Sequence, residues 1–358
     1  MNTTMKASNS EKARPTGQAS LATKRINLAL QGGGAHGAFT WGVLDRLLED
    51  ERIEFDGISA TSAGAMNATV MVYGYQQGGR VGAQQALANF WRRVAHAGSM
   101  MPFQPTWWDR LSGERGLDNS PAFLWLDFVS RIFSPYQLNP LNWNPLREVL
   151  QASVDFDALQ NEALPIKLFL SATNVRSGKV KVFCGRDITA DAVLASGCLP
   201  FLFQAVEIKG EHYWDGGYMG NPAIYPLIYN CDSCDVVIIH INPMHRQDLP
   251  VTAAEILNRI NEISFNSSLM REMRAIGFVT RLIDDGKVNG DDLKRLNIHS
   301  ISAEMETCHL SVHSKLNADL GFLLELKAAG RRHAETWLAQ HFDALGERST
   351  VDIAATYL

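Results

Sequence analysis

The sequence predicts an α/β protein, with a mostly parallel sheet covered by helices on both faces. Short apolar runs alternate with helical patterns along the chain, and the first two strand-to-helix junctions are turns of glycine and other small residues. Residues 1–25, MNTTMKASNSEKARPTGQASLATKR, hold almost no large apolar side chain; they read as a flexible tail lacking the apolar segment of a signal peptide. Residues 26–30 form an apolar strand that stops at Gln31-Gly32-Gly33-Gly34, after which Phe39, Val43, Leu44, Leu47 and Leu48 recur at helical spacing. Residues 53–59 read as a second strand and 63–77 as a second helix, closed by the stop signal Gly78-Gly79. Further strands are expected at 166–172, 179–183, 205–209 and 236–241, with helices at 190–196, 253–281 and 315–341.

Residues 91–143 break this rhythm. They hold five of the eight tryptophans together with Phe103, Phe123, Phe128, Phe133, Tyr136 and several prolines, so residues 91–145 read as an inserted segment. Such a segment caps an apolar pocket, lies at a lipid interface, or packs as the core of a subdomain. The resulting division is a tail at 1–25, a main unit at 26–240 carrying the insertion, and a mainly helical region at 241–358 packed on the same domain.

Of the 358 residues, 46% are hydrophobic and 20% charged, which fits a globular chain. Thirty-three Lys and Arg against thirty-eight Asp and Glu leave a net charge of -5, so no positive field draws nucleic acid. No apolar stretch reaches the roughly 18 residues of a spanning helix, which leaves surface attachment as the remaining mode of membrane contact. An odd count of five cysteines fits a reducing compartment, and the expected location is cytoplasmic with peripheral membrane contact open. Cys231 and Cys234 form a CxxC that lacks the second pair a zinc site requires, so no metal is expected.

Gly32, Gly34 and Gly37 match GxGxxG between a strand and a helix, and Asp56 follows at the spacing of a dinucleotide site. The same amides at a helix N-terminus suit an oxyanion equally well. The next junction, Gly57-Ile58-Ser59-Ala60-Thr61-Ser62-Ala63-Gly64-Ala65, sets Ser62 between the small residues Ala60 and Gly64 in the pattern of a nucleophile elbow. A serine nucleophile needs a base. Asp215, in Tyr213-Trp214-Asp215-Gly216-Gly217, stands in a glycine turn that can bring its carboxylate close to another loop. His240, near the end of an apolar strand, is the alternative base in a Ser, Asp, His order, although a histidine there is more often a core residue. His36 lies in the glycine loop, where it suits orientation better than base catalysis. Met66, Val70, Met71 and Tyr73 share a face behind Ser62 and read first as core packing and second as an acyl-chain wall.

Three motifs thus stand in chain order: QGGGAHGAF at 31–39, ATSAGA at 60–65 and DGG at 215–217. Together with Ala195-Ser196-Gly197-Cys198-Leu199-Pro200, Phe203, the run 210–217 and Asn221-Pro222, they resemble the patatin-like phospholipase family. The resemblance covers roughly residues 26–226 in segments. It departs at Ala60, where the family has glycine. It implies an α/β/α sandwich that hydrolyses lipid acyl esters without metal or cofactor. It also implies a catalytic dyad of Ser62 and Asp215, an oxyanion hole formed by the amides of Gly32, Gly33 and Gly34, and supporting roles for His36, Gly37, Ala60, Gly64, Gly216 and Gly217. The competing expectations are a catalytically silent lipid-binding module that meets membranes through 91–143, and a dinucleotide-binding protein using Gly32, Gly34, Gly37 and Asp56.

Overall fold

Residues 23–101, 116, 117, 120, 122, 125, 129, 130, 132–161, 163–246, 249–288 and 293–358 are described by a computed structural model of the chain. Their eight strands form one mixed sheet: β1 (Lys24–Leu30), β2 (Ile53–Thr61), β3 (Lys167–Asn174), β4 (Val180–Cys184), β5 (Val206–Ile208), β6 (Glu211–Asp215), β7 (Asp235–His240) and β8 (Asn297–Ser302). The order is β5-β6-β3-β2-β1-β7-β8, with β4 on the other flank of β3. β3, β2, β1, β7 and β8 run parallel, whereas β4 and β6 pair antiparallel with β3.

Alternation along the central strands builds two cores. Leu28, Leu30, Val237 and Ile239 point to one face, where they meet α1 (Gly37–Glu49), α2 (Ala63–Ser99) and the helix Leu320–His341. Ala29, Val236 and Ile238 point to the other, against the helices Tyr225–Asn230 and Ala253–Asp284. With both faces buried, the central strands lack polar alternation, and the three-layer α/β/α architecture expected from the sequence is the observed one.

Three details differ from the sequence reading. The stop signal at Gly78-Gly79 is a break within α2, where Gly79 adopts φ 60° and the helix resumes as far as Ser99. Trp91, at the start of the expected insertion, is therefore a core residue of α2: it stacks on Trp41 with ring centroids 6.3 Å apart, and its indole N–H donates to Asn67 Oδ1 at 2.9 Å. The rest of that segment lies partly outside the described residues, as do residues 1–22 of the expected tail. The region after 240 adds β8 beside β7, a strand that the sequence pattern does not reveal. Its Asn297 and His299 are buried, and His299 Nε2 lies 3.0 Å from Asp235 Oδ1 on β7, so polar pairs fill positions that apolar residues usually mark.

Candidate active site

Ser62 joins β2 to α2 with φ 56° and ψ -125°, a backbone state that non-glycine residues rarely adopt. The turn fits because its neighbours are small. A Cβ on Gly64 would come within 2.5 Å of the Leu30 carbonyl oxygen, and Ala60 is fully buried between Leu30 and Leu170, where its methyl belongs to the core. The Ser62 N–H donates to Ser196 Oγ at 2.9 Å, and Ser196 in turn donates to the Ser171 carbonyl at 2.6 Å. Ser196 thereby ties the elbow to β3.

Sheet register brings Asp215 to this turn. β2 and β6 pair with the same edge of β3 from opposite directions: Thr61 lies opposite Ser171, and Asp215 opposite the next residue, Ala172. The two strands therefore end against one another, with Ser62 and Asp215 just at the junction. Asp215 is 2% exposed; its Oδ1 accepts the Gly217 N–H at 2.7 Å and its backbone carbonyl accepts the Thr173 hydroxyl at 2.8 Å. Burial pushes the Asp215 pKa up to about 6, against the opposing pull of the Gly217 amide, the Ser62 hydroxyl and the Lys315 ammonium. Gly216 and Gly217 make this approach possible, since a Cβ on Gly216 would lie 2.2 Å from the Ser171 carbonyl oxygen.

The glycine loop closes over Ser62 so tightly that a Cβ on Gly32 would sit 2.6 Å from the Ser62 Cβ. The sequence assigns three amides of this loop to an oxyanion; the structure commits one of them elsewhere. The Gly32 N–H donates to Asn221 Oδ1 at 2.8 Å, and the Gly32 carbonyl accepts Asn242 Nδ2 at 2.8 Å. The amides of Gly33 and Gly34 have no protein acceptor among the described residues, and Gly34 adopts φ 59°. Gly37 sets the start of α1 against that of α2, where a Cβ would lie 2.8 Å from the Ala63 Cβ.

Neither histidine acts at this turn. His36 Nε2 lies 2.7 Å from Ser314 Oγ, its ring packs on Phe322, and burial lowers its pKa to about 3, so it is a neutral support of the loop. His240 pairs with the Tyr357 hydroxyl at 2.8 Å, and burial lowers its pKa to about 4. It does not line the cavity that holds Ser62 and Asp215. Asp56, the acid of the dinucleotide pattern, is likewise occupied: its Oδ2 accepts the Ser233 N–H at 2.8 Å and its Oδ1 lies 3.4 Å from Lys167 Nζ.

Ser62 and Asp215 face a cavity of about 250 Å³ walled by Met66, Phe90, Trp91, Leu202, Phe203 and Phe265. Of the four residues on the face behind Ser62, Met66 reaches it, while Val70 and Met71 are core. A polar set completes the site: Gln31 and Asn221 stand inside the motifs QGGGAHGAF and Asn221-Pro222, whereas Asn242 and Lys315 stand in none. Gln31 accepts the Ile241 and Asn242 amides and donates to Asn266; Asn221 and Asn242 hold Gly32; and Lys315 stands in the cavity wall. No chain-local signal reveals the tasks of these side chains, because Asn221 and Asn242 act on Gly32 from 189 and 210 residues away in sequence. Among the described residues no cluster of His, Cys, Asp and Glu is arranged to hold a metal ion, and no helix is long and apolar enough to cross a membrane.

The family model for patatin-like phospholipase matches residues 28–228. The crystal structure of VipD from Legionella pneumophila is similar over 90% of this chain and 67% of that one, at 15% identity and a TM-score of 0.42. None of the curated proteins compared with the chain matches it.

Proposed function

The chain belongs to the patatin-like phospholipase family, a family of lipid acyl hydrolases, and from that premise we propose that it cleaves carboxylic esters of lipids with Ser62 as nucleophile and Asp215 as base. The observation that carries this reading is the meeting of β2 and β6 on adjacent residues of β3, which sets a strained serine and a buried aspartate at one apolar cavity.

In this mechanism Ser62 Oγ attacks the ester carbonyl carbon while its proton passes to Asp215. The carbonyl oxygen becomes an oxyanion held by the Gly33 and Gly34 amides, with Gly32 fixing their backbone rather than donating. Collapse of the intermediate expels the alcohol, which takes the proton from Asp215 and leaves an acyl ester on Ser62. Water then gives a proton to Asp215 and attacks that ester. The second collapse returns a proton to Ser62 and releases the fatty acid. An ordinary aspartate is a weak base for a hydroxyl, and the burial that raises Asp215 to about 6 makes it a stronger one at neutral pH. The apolar wall accepts the acyl chain. In the same reading the exposed side chains of Trp125, Ile132, Phe133, Leu141, Trp143 and Phe201 meet the lipid surface.

Covalent labelling by a fluorophosphonate tests the nucleophile directly. Folded wild-type protein is expected to carry the label on the peptide containing Ser62, and Ser62→Ala to carry none. Absence of label on the wild type, with detergent present, would favour the silent lipid-binding alternative. A second expectation concerns pH. Below about 6 Asp215 is protonated and cannot accept the Ser62 proton, so the acid limb of kcat/KM should lie near that value. A profile with its acid limb near the ordinary carboxylate value of about 4 contradicts a buried aspartate base.

A further inference from the structure

Lys315 stands more than 270 residues after the glycine loop, on the turn Val312–Leu316, yet it meets that loop directly through its backbone and again through Asn242. Its backbone carbonyl supports Gly34, where a Cβ would come within 2.3 Å of the Lys315 oxygen. Its Nζ donates to Asn242 Oδ1 at 2.8 Å, and Asn242 Nδ2 donates to the Gly32 carbonyl at 2.8 Å. The Gly32 carbonyl and the Gly33 N–H belong to one planar trans peptide and point in opposite directions. Whatever holds that carbonyl therefore aims that N–H.

We propose that Lys315 is a positioning residue for the oxyanion-binding amides, acting through Asn242 on the Gly32–Gly33 peptide. The proposal rests on the hydrolase reading above. A neutral side chain could occupy the same wall of an otherwise apolar cavity at lower cost, because an ammonium withdrawn from water needs strong partners. The charge has a use here: a charge-assisted hydrogen bond grips Asn242 more firmly than a neutral one, and a fixed donor geometry is what an oxyanion site requires. The titratable groups around the ammonium are Asp215 across the cavity, the Arg246 and Glu262 pair, whose closest atoms are 2.6 Å apart, and the buried, neutral His36, which has the exposed His309 near it. Loss of water lowers the Lys315 pKa to about 8, and above that pH the grip becomes that of a neutral amine. Turnover should consequently decline on the alkaline side.

The test is steady-state hydrolysis of a short-chain p-nitrophenyl ester between pH 5 and 10 by wild type, Lys315→Met, Lys315→Arg and Asn242→Asp, with the fold of each checked by thermal melting. Lys315→Met is expected to lower kcat about 100-fold with KM little changed, as misaimed catalytic groups do, and to lose the alkaline limb. Lys315→Arg keeps the charge and should recover part of kcat while moving that limb beyond pH 10. Asn242→Asp retains an acceptor for Lys315 but has no N–H for Gly32, so it should lose kcat as Lys315→Met does. It also decides the matter if Lys315→Met does not fold. Wild-type kcat in the folded variants overturns the proposal alone, and so does a fall in kcat that leaves the alkaline limb in place. A wild type without Ser62-dependent turnover overturns the hydrolase reading and this proposal together.

Discussion

Ser62→Ala and Asp215→Asn are each expected to lower ester turnover by roughly 10⁴-fold or more, and the double variant to be no slower than the slower single one. In the proposed mechanism the two side chains share one proton transfer, so removing either leaves the other without a task. Both variants should fold. Asparagine keeps an Oδ1 to accept the Gly217 N–H, and alanine keeps the backbone N–H that donates to Ser196. Alanine at φ 56° retains the strain of the elbow, roughly 1–3 kcal/mol, so the melting temperature should change little from the serine protein. Rate constants for a soluble ester, measured on the three variants beside wild type, decide the point. Independent and multiplying losses would mean that Asp215 is not the partner of Ser62.

The second large effect is expected at the glycine loop. Gly34→Ala introduces a side chain at φ 59°, and its Cβ would lie 2.3 Å from a backbone carbonyl that cannot rotate away. The loop must shift, and with it the Gly33 and Gly34 amides. Loss of an oxyanion donor costs about 10²–10³ in kcat, and that is the expected loss here. Gly79→Ala is the matched control. Gly79 has nearly the same φ, 60°, but nothing lies within 4 Å of its would-be Cβ and it is remote from the cavity lining. It should cost about 1–3 kcal/mol of stability from backbone strain at φ 60° and ψ -147° alone and leave turnover at the wild-type rate. Kinetics and thermal melts of both variants separate strain from chemistry. Full activity in Gly34→Ala would exclude these amides from the oxyanion site.

What the sequence made legible follows from how far each residue's task extends along the chain. Ser62 announces itself because an elbow needs small residues two before and two after it, a requirement met within five positions. Asp215 announces itself through the two glycines that let it approach β3. The central strands were readable because both faces are buried, which makes apolar runs unavoidable. β8 was not, because His299 and Asn297 replace the apolar signal with partners on β7. Asn242 and Lys315 escaped, and Gln31 and Asn221 stood in motifs without a readable task, for a related reason: a side chain that serves a loop in another part of the chain leaves no spacing behind. Gly32 was legible as a necessary glycine but not in its task, since only the fold reveals that Asn221 takes its N–H and that Ser62 excludes its side chain.

The junction of β2 and β6 on β3 makes the register of one strand into a ruler. If β6 slipped by a single residue, Asp215 would travel about 3.3 Å and turn to the opposite face of the sheet. The connection between β3 and β6 is held to the same ruler, since its Ser196 bonds both the Ser62 amide and the Ser171 carbonyl. Under the proposed mechanism, the separation of acid and nucleophile is thus set by strand pairing and not by the side chains that line the cavity.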